Sequence, residues 1–305
     1  MKKLCILLLC ACLVGFQAPA SARSAQGKYM SIGSSFVVAI QADGSVKATG
    51  DNTYGQCDTS GWRDVVAVAT GIDHTLGLKS DGTVYSTGSN ELGQCNVEDW
   101  KGIVMVAASY LYSYGLTRDG KVLRTYNPPY SIAQTEMKKW KDIVWLDSAT
   151  WYGACAIDKN GTPHAVTVDI SQIRDAVQVY ERPEEYVYIL KSDGTVLYIQ
   201  LDEEDQTIQE LNREKWSDIV ELDYNLYDLV GLKRDGTVVG FLSFKGWEDI
   251  VEFEGGFGIK SDGSIMMDPY LVNEFTPEQL AEISTWKVMV DPDSLPKSSE
   301  QTAAP

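Results

Sequence analysis

The sequence has 305 residues, with 26 Lys plus Arg against 43 Asp plus Glu and a formal net charge of −17. That charge repels phosphate backbones and anionic lipid at long range, which argues against nucleic acid and membrane surfaces as partners and leaves a basic protein, a cation or an uncharged glycan. The length suffices for one large or two modest domains.

The chain opens with Met1-Lys2-Lys3, continues almost wholly apolar from Leu4 to Phe16, and reaches the small-x-small run Ala20-Ser21-Ala22. A basic start, a short apolar core and such a cleavage pattern read as a signal peptide over residues 1–22, so the mature chain is expected to be secreted. An alternative takes Leu9-Cys10-Ala11-Cys12 as a lipobox, with Cys12 lipidated and the protein anchored at the cell surface or envelope. The apolar run is shorter than the roughly 20 residues a membrane span needs, so no membrane insertion is expected. Cleavage leaves Cys57, Cys95 and Cys155, an odd number and no disulfide framework. Small buried hydrophobes are the expected role, ahead of a bond between Cys57 and Cys95.

Repeats fill residues 23–290. Asp43-Gly44, Asp81-Gly82, Asp119-Gly120, Asn160-Gly161, Asp193-Gly194, Asp235-Gly236 and Asp262-Gly263 are turn signals between apolar or alternating segments, and each marks a hairpin tip. A second register runs through Trp62, Trp100, Trp140, Ile173, Trp216, Trp247 and Trp286. From this marker to the next turn glycine the distance is 20, 20, 21, 21, 20 and 16 residues, whereas from turn glycine to the next marker it is 18, 18, 20, 12, 22, 11 and 23. The nearly fixed arm holds strand register, where a one-residue slip would reverse every side chain. The elastic arm is a peripheral connection, where length costs little. Short helices are expected at Thr276-Pro277-Glu278-Gln279 and Thr207-Ile208-Gln209-Glu210, both with capping-box spacing, and at Ser131 to Gln134.

Each unit has room for three strands and a fragment of a fourth, and such a unit must stack on its neighbours to bury both faces. The expected fold is an all-β, seven-bladed β-propeller with short blades, closed by N- and C-terminal segments that share one blade. An open solenoid is the alternative. Which end supplies the innermost strand stays open, and residues 291–305 read as a disordered tail.

The run from His74 through Asp81-Gly82 to Leu92-Gly93-Gln94-Cys95, echoed by Thr49-Gly50-Asp51-Asn52-Thr53-Tyr54-Gly55-Gln56, resembles the regulator of chromosome condensation repeat family. The resemblance covers residues 28 to 290 and is sharpest in the first units. Short units make it similar to the secreted bacterial type with compact seven-bladed propellers, which includes an inhibitor of β-lactamases. The resemblance implies a protein-binding platform, while the export signal argues against the nucleotide exchange of nuclear members.

Equivalent loops in a propeller form a ring on one face. The candidate binding residues on these loops are Asp73, Tyr110, Tyr112, Trp151, Tyr152, Glu185, Tyr186, Tyr224 and Tyr227, an aromatic and acidic set suited to a protein partner or, alternatively, a glycan. Phe36, His74, Tyr112 and Tyr186 also read as wedges filling seams between blades. No catalytic residue, cofactor or metal site is assigned: His74 and His164 lack partners at ligand spacing, and Cys155 lies in an apolar strand. The expectation is a monomeric binding module, not an enzyme. The alternative is a glycan-active or other hydrolytic or lyase enzyme with an acidic site near the propeller axis.

Overall fold

The computed structural model describes residues 27–125, 136–149, 153–166, 168–182, 186–201, 207–211, 216–224, 229–240, 244, 246–268 and 274–290. The proposed signal peptide, the helix expected at Ser131 to Gln134 and the expected tail lie outside these residues. Among the described residues no helix is long and apolar enough to cross a membrane.

Seven antiparallel sheets follow one another along the chain. They are β1 (Met30–Ile32), β2 (Phe36–Ile40) and β3 (Val46–Gly50); β4 (Val65–Thr70), β5 (His74–Lys79) and β6 (Val84–Gly88); β7 (Ile103–Ala108), β8 (Ser113–Thr117) and β9 (Val122–Arg124); β10 (Ile143–Ala149), β11 (Gly153–Asp158) and β12 (Pro163–His164); β13 (Ala176–Arg182), β14 (Tyr186–Lys191), β15 (Val196–Gln200) and β16 (Ile208–Glu210); β17 (Ile219–Tyr224), β18 (Leu229–Lys233) and β19 (Val238–Gly240); and β20 (Ile250–Glu254), β21 (Phe257–Lys260) and β22 (Ile265–Met267). The first strand of each sheet packs against the first strand of the next, and β20 packs against β1, so the ring is closed. The protein is a seven-bladed β-propeller. Each expected hairpin tip is present, its turn glycine at a φ between 71 and 82°.

Closure uses both chain ends in one strand. The Ile40 amide donates to the Tyr29 carbonyl and the Ile40 carbonyl accepts from the Met289 amide, each at 2.8 Å. The innermost strand of the first blade is thus split, with Met30–Ile32 pairing Val37 to Ala39 and the C-terminal segment pairing Ile40 to Ala42. Sharing one strand between chain ends joins the last blade to the first.

The markers explain the core of each blade. Trp62, Trp100, Trp216 and Trp247 lie over Gly77, Gly115, Gly231 and Gly258 of the middle strands, where an added Cβ would come within 2.5 to 2.8 Å of the indole. Trp140 shares its cluster with Ala156, and Trp286 shares its cluster with Ala39. In the fifth blade both members change, and Ile173 packs with Ile189. Large against small is kept in six blades and medium against medium in one, as close packing demands.

One helix expectation holds. α1 (Pro277–Ile283) has the capping box of Thr276 and Gln279, and it leans on the outer strand of the first blade through Glu282, whose carboxylate accepts from the Thr49 hydroxyl at 2.9 Å. The helix expected at Thr207 to Glu210 is instead β16, which pairs Ile208 with Ile199 and Glu210 with Leu197. Four residues make barely one turn of helix, with no propagation to offset nucleation, whereas the open edge of β15 offers complete backbone partners. Cys57, Cys95 and Cys155 are free; Cys155 is buried as expected, whereas Cys57 and Cys95 are only half-buried. Burial pushes the Cys57 and Cys95 thiols up to about 11, so neither is a reactive thiolate at neutral pH.

Candidate functional site at the axial mouth

The innermost strands rise from the end carrying the hairpin tips toward the end carrying the inner-to-middle loops. Their axial edges have no neighbouring strand, so amides there need acceptors from elsewhere. Side chains of the preceding blade supply them. Met105 Sδ accepts from Leu146, Gln178 Oε1 from Leu222 at 2.7 Å, and Glu221 Oε1 from Phe253 at 3.2 Å. A second rung lies two residues on, where Ser31 Oγ accepts from Thr70 and Asp223 Oδ2 from Gly255, both at 3.1 Å. Alternation along a strand places residues i and i+2 on the same face, which is why Glu221 and Asp223 reach one neighbour together.

These positions differ sharply around the ring. The strands β4 and β7 read VVAVAT and IVMVAA, whereas β10, β17 and β20 carry Asp147, Glu221, Asp223, Glu252 and Glu254 there, and β13 adds Glu181 on its alternate face, 3.5 Å from Cys155. Acid therefore collects on one side of the axis. Tyr180 stacks on Tyr224 at 5.8 Å between ring centroids and 15° between planes. Burial holds the Tyr180 phenol well above its ordinary range, and the nearby carboxylates of Asp223, Asp147 and Glu254 add to this while the Lys28 ammonium opposes it. Charges from three blades and the N-terminal segment thus converge on one phenol. Lys28 pairs with Glu254, and its carbonyl accepts from the Val68 amide at 2.9 Å.

The described candidate residues lie toward this same end. Tyr224 is part of the axial cluster. Asp73 and Tyr110 are half-buried on adjacent loops, which the Ile72 amide joins by donating to the Tyr110 carbonyl at 3.4 Å. Burial, followed by the negative charge of Asp51, raises the Asp73 carboxyl above its usual value. Tyr186 lies farther out, packed with Tyr188 and Tyr198 at 5.6 and 6.3 Å. Tyr112 is only 7% exposed, and the Arg124 guanidinium lies 3.8 Å over its ring, so this side chain is a seam wedge and not a contact on the open face. Trp151, Tyr152, Glu185 and Tyr227 lie outside the described residues.

His74 is also a wedge. Its Nε2 lies 3.0 Å from Ser113 Oγ, and that hydroxyl donates to the Gln94 carbonyl at 2.7 Å. Ser113 must therefore accept from His74, which fixes the Nε2–H tautomer. Burial lowers the His74 pKa to about 4. Asp147, Tyr180, Glu181, Asp223, Glu254 and Lys28 escaped sequence reasoning. Alternating acids in IVELDY and IVEFE are the signal that could have found them. Among the described residues no group of three or more His, Cys, Asp or Glu is arranged to hold a metal ion.

A closed ring of seven short antiparallel blades with an acidic axis defines a propeller of the repeat-built class. Residues 28–56 and 65–94 match the regulator of chromosome condensation (RCC1) repeat, so the first two units carry RCC1-like repeats. Among solved structures it is similar to human WBSCR16, with a TM-score of 0.55 and 16% identity over 69% of this chain and 75% of that one. It is also similar to the receptor kinase CR4 ectodomain of Physcomitrella patens, with a TM-score of 0.50 and 14% identity over 68% of this chain and 59% of that one. Prp20p of Saccharomyces cerevisiae, described with its binding to Gsp1p and histones, scores 0.48 at 15% identity over 69% of this chain and 70% of that one. No match was found among curated proteins.

Proposed function

We propose that this protein is an exported binding platform that takes a basic protein partner on the end carrying the inner-to-middle loops. The single observation that carries the reading is the collection of carboxylates and the Tyr180–Tyr224 stack on β10, β13, β17 and β20, against small and apolar residues on β4 and β7. Flat aromatic surface gives contact area at low entropy cost, and one-sided acid selects the sign of the partner and orients it. The signal-peptide pattern at residues 1–22 supports a partner outside the cytoplasm. Blades 4 to 7 supply the chemistry, and blades 1 to 3 complete the ring that holds it in place.

The test is capture from culture fluid or host secretions on the mature protein, at about 0.1 M and about 0.5 M salt. Three baits are compared: wild type, Tyr180→Ala with Tyr224→Ala, and Trp151→Ala with Tyr152→Ala and Tyr227→Ala. A partner held by wild type, weakened by salt and lost from the tyrosine variant is the expected result. Equal retention on all three baits would place the binding surface elsewhere.

A further inference from the structure

Lys28 is placed unlike any other cation in the described structure. Its backbone is fixed to blade 2, because the carbonyl accepts from Val68 and the pair forms an isolated bridge. Its ammonium reaches across to blade 7 and pairs with Glu254. Its charge is also felt by Tyr180 of blade 5, together with Asp147 and Asp223. A side chain that addresses blades 2, 5 and 7 together lies at the axis. Lys28 is half-buried there, and the Glu254 side chain beside it is only 10% exposed.

We propose that the axial mouth holds one subsite for an ammonium or guanidinium group, and that Lys28 fills it as a built-in competitor for a lysine or arginine side chain of the partner. This inference rests on the reading of the loop end as a surface for a basic protein, and it says where on that surface the central cation goes. Recessed carboxylates form a suitable receptacle, because a partly desolvated cation is held strongly by charge-assisted hydrogen bonds to the acids. The geometry also explains why an internal ligand is needed. Several carboxylates in partial burial repel one another, and a single ammonium relieves that cost until a partner brings its own. An incoming cation must displace Lys28, so the free protein binds basic ligands more weakly than its acid content alone would allow.

The experiment is calorimetric titration of the mature protein with a tri-arginine peptide. Lys28→Gln keeps the backbone carbonyl that holds Val68 and removes only the charge. The expected result is a threefold to tenfold tighter complex for Lys28→Gln, roughly the worth of one partly exposed ion pair, with Lys28→Arg unchanged from wild type. Adding Glu254→Gln to Lys28→Gln should abolish the gain. Should Lys28→Gln fail to fold, the Lys28 side-chain methylene resonances of wild type are followed during the titration, and they should shift as the ammonium is expelled. Equal or weaker binding by Lys28→Gln, no binding by either protein, or resonances that stay fixed at saturation would overturn the inference. Capture of a natural partner is a separate readout, so the platform can fail while the subsite holds, or the reverse.

Discussion

Trp62 lies so closely over Gly77 that a β-carbon on the glycine would come within 2.5 Å of the indole Cζ3. The glycine is there for space, since the middle strand needs no unusual backbone angle at this position. The same seat recurs as Trp100 over Gly115, Trp216 over Gly231 and Trp247 over Gly258. Each of these four blades therefore locks its elastic connection onto its own sheet.

Gly77→Ala should destabilise the protein by about 1–3 kcal/mol through overpacking, and Trp62→Ala by about 3–5 kcal/mol through the cavity. Combining Gly77→Ala with Trp62→Leu should recover part of the first loss, because the two positions share one volume. Urea unfolding of Gly77→Ala, Trp62→Leu and their combination measures this, and strict additivity would count against the shared seat.

Trp286 makes the same contact for the ring as a whole. It is 1% exposed, clusters with Ala39 of the first blade, and is followed by Met289 bonded to Ile40. Trp286→Ala should cost about 3–5 kcal/mol. Truncation after Ser284 should remove the cooperative thermal transition, because the first blade then lacks part of its innermost strand. Calorimetry showing an unchanged transition would mean that the C-terminal segment does not close the ring.

Five aspartates just before innermost strands, Asp64, Asp142, Asp175, Asp218 and Asp249, have φ between 55 and 63°, and Gly102 holds the equivalent place at 66°. Asp tolerates this left-handed region better than most side chains, and a β-branched residue tolerates it least. Asp175→Gly should therefore stay within about 0.5 kcal/mol of wild type, relief of strain offsetting the freer unfolded chain. Asp175→Val should lose about 1–3 kcal/mol. Chemical denaturation of both variants distinguishes backbone strain from a role of the carboxylate, which would make the two substitutions equally harmful.

The buried His74 has a pKa of about 4 against an ordinary value of 6.5. Between those values the unfolded chain binds a proton that the folded protein refuses, so stability is full above pH about 6.5 and falls as pH drops toward 4. The loss attributable to His74 is on the order of 2–3 kcal/mol by pH 4. His74→Phe, which copies Phe36 at the same place in the first blade, should lose less stability than wild type over this window. Urea midpoints at a series of pH values give the difference, and parallel curves would exonerate the imidazole.

Much of the blade was legible because its signals are local. An Asp-Gly pair meets the turn's demand for positive φ within two residues, and Thr276 with Gln279 closes a helix cap within four. The Thr207 to Glu210 run misled for the same reason, since its local helix pattern said nothing of the β15 edge waiting beside it. Tyr112 and Tyr224 hold similar places near the loop ends, yet Arg124 covers one and the axis displays the other.

The sequence by itself determined the repeat, its seven copies and the alternation that sends Glu221 and Asp223 to one face. Tertiary structure alone decided that both chain ends share the innermost strand of the first blade, that acids of three separate strands meet around Tyr180, and that Lys28 stands among them. The physical reason is range: turns and strand faces are set by neighbours a few residues away, whereas seams and axis join residues from different repeats that only ring closure brings together.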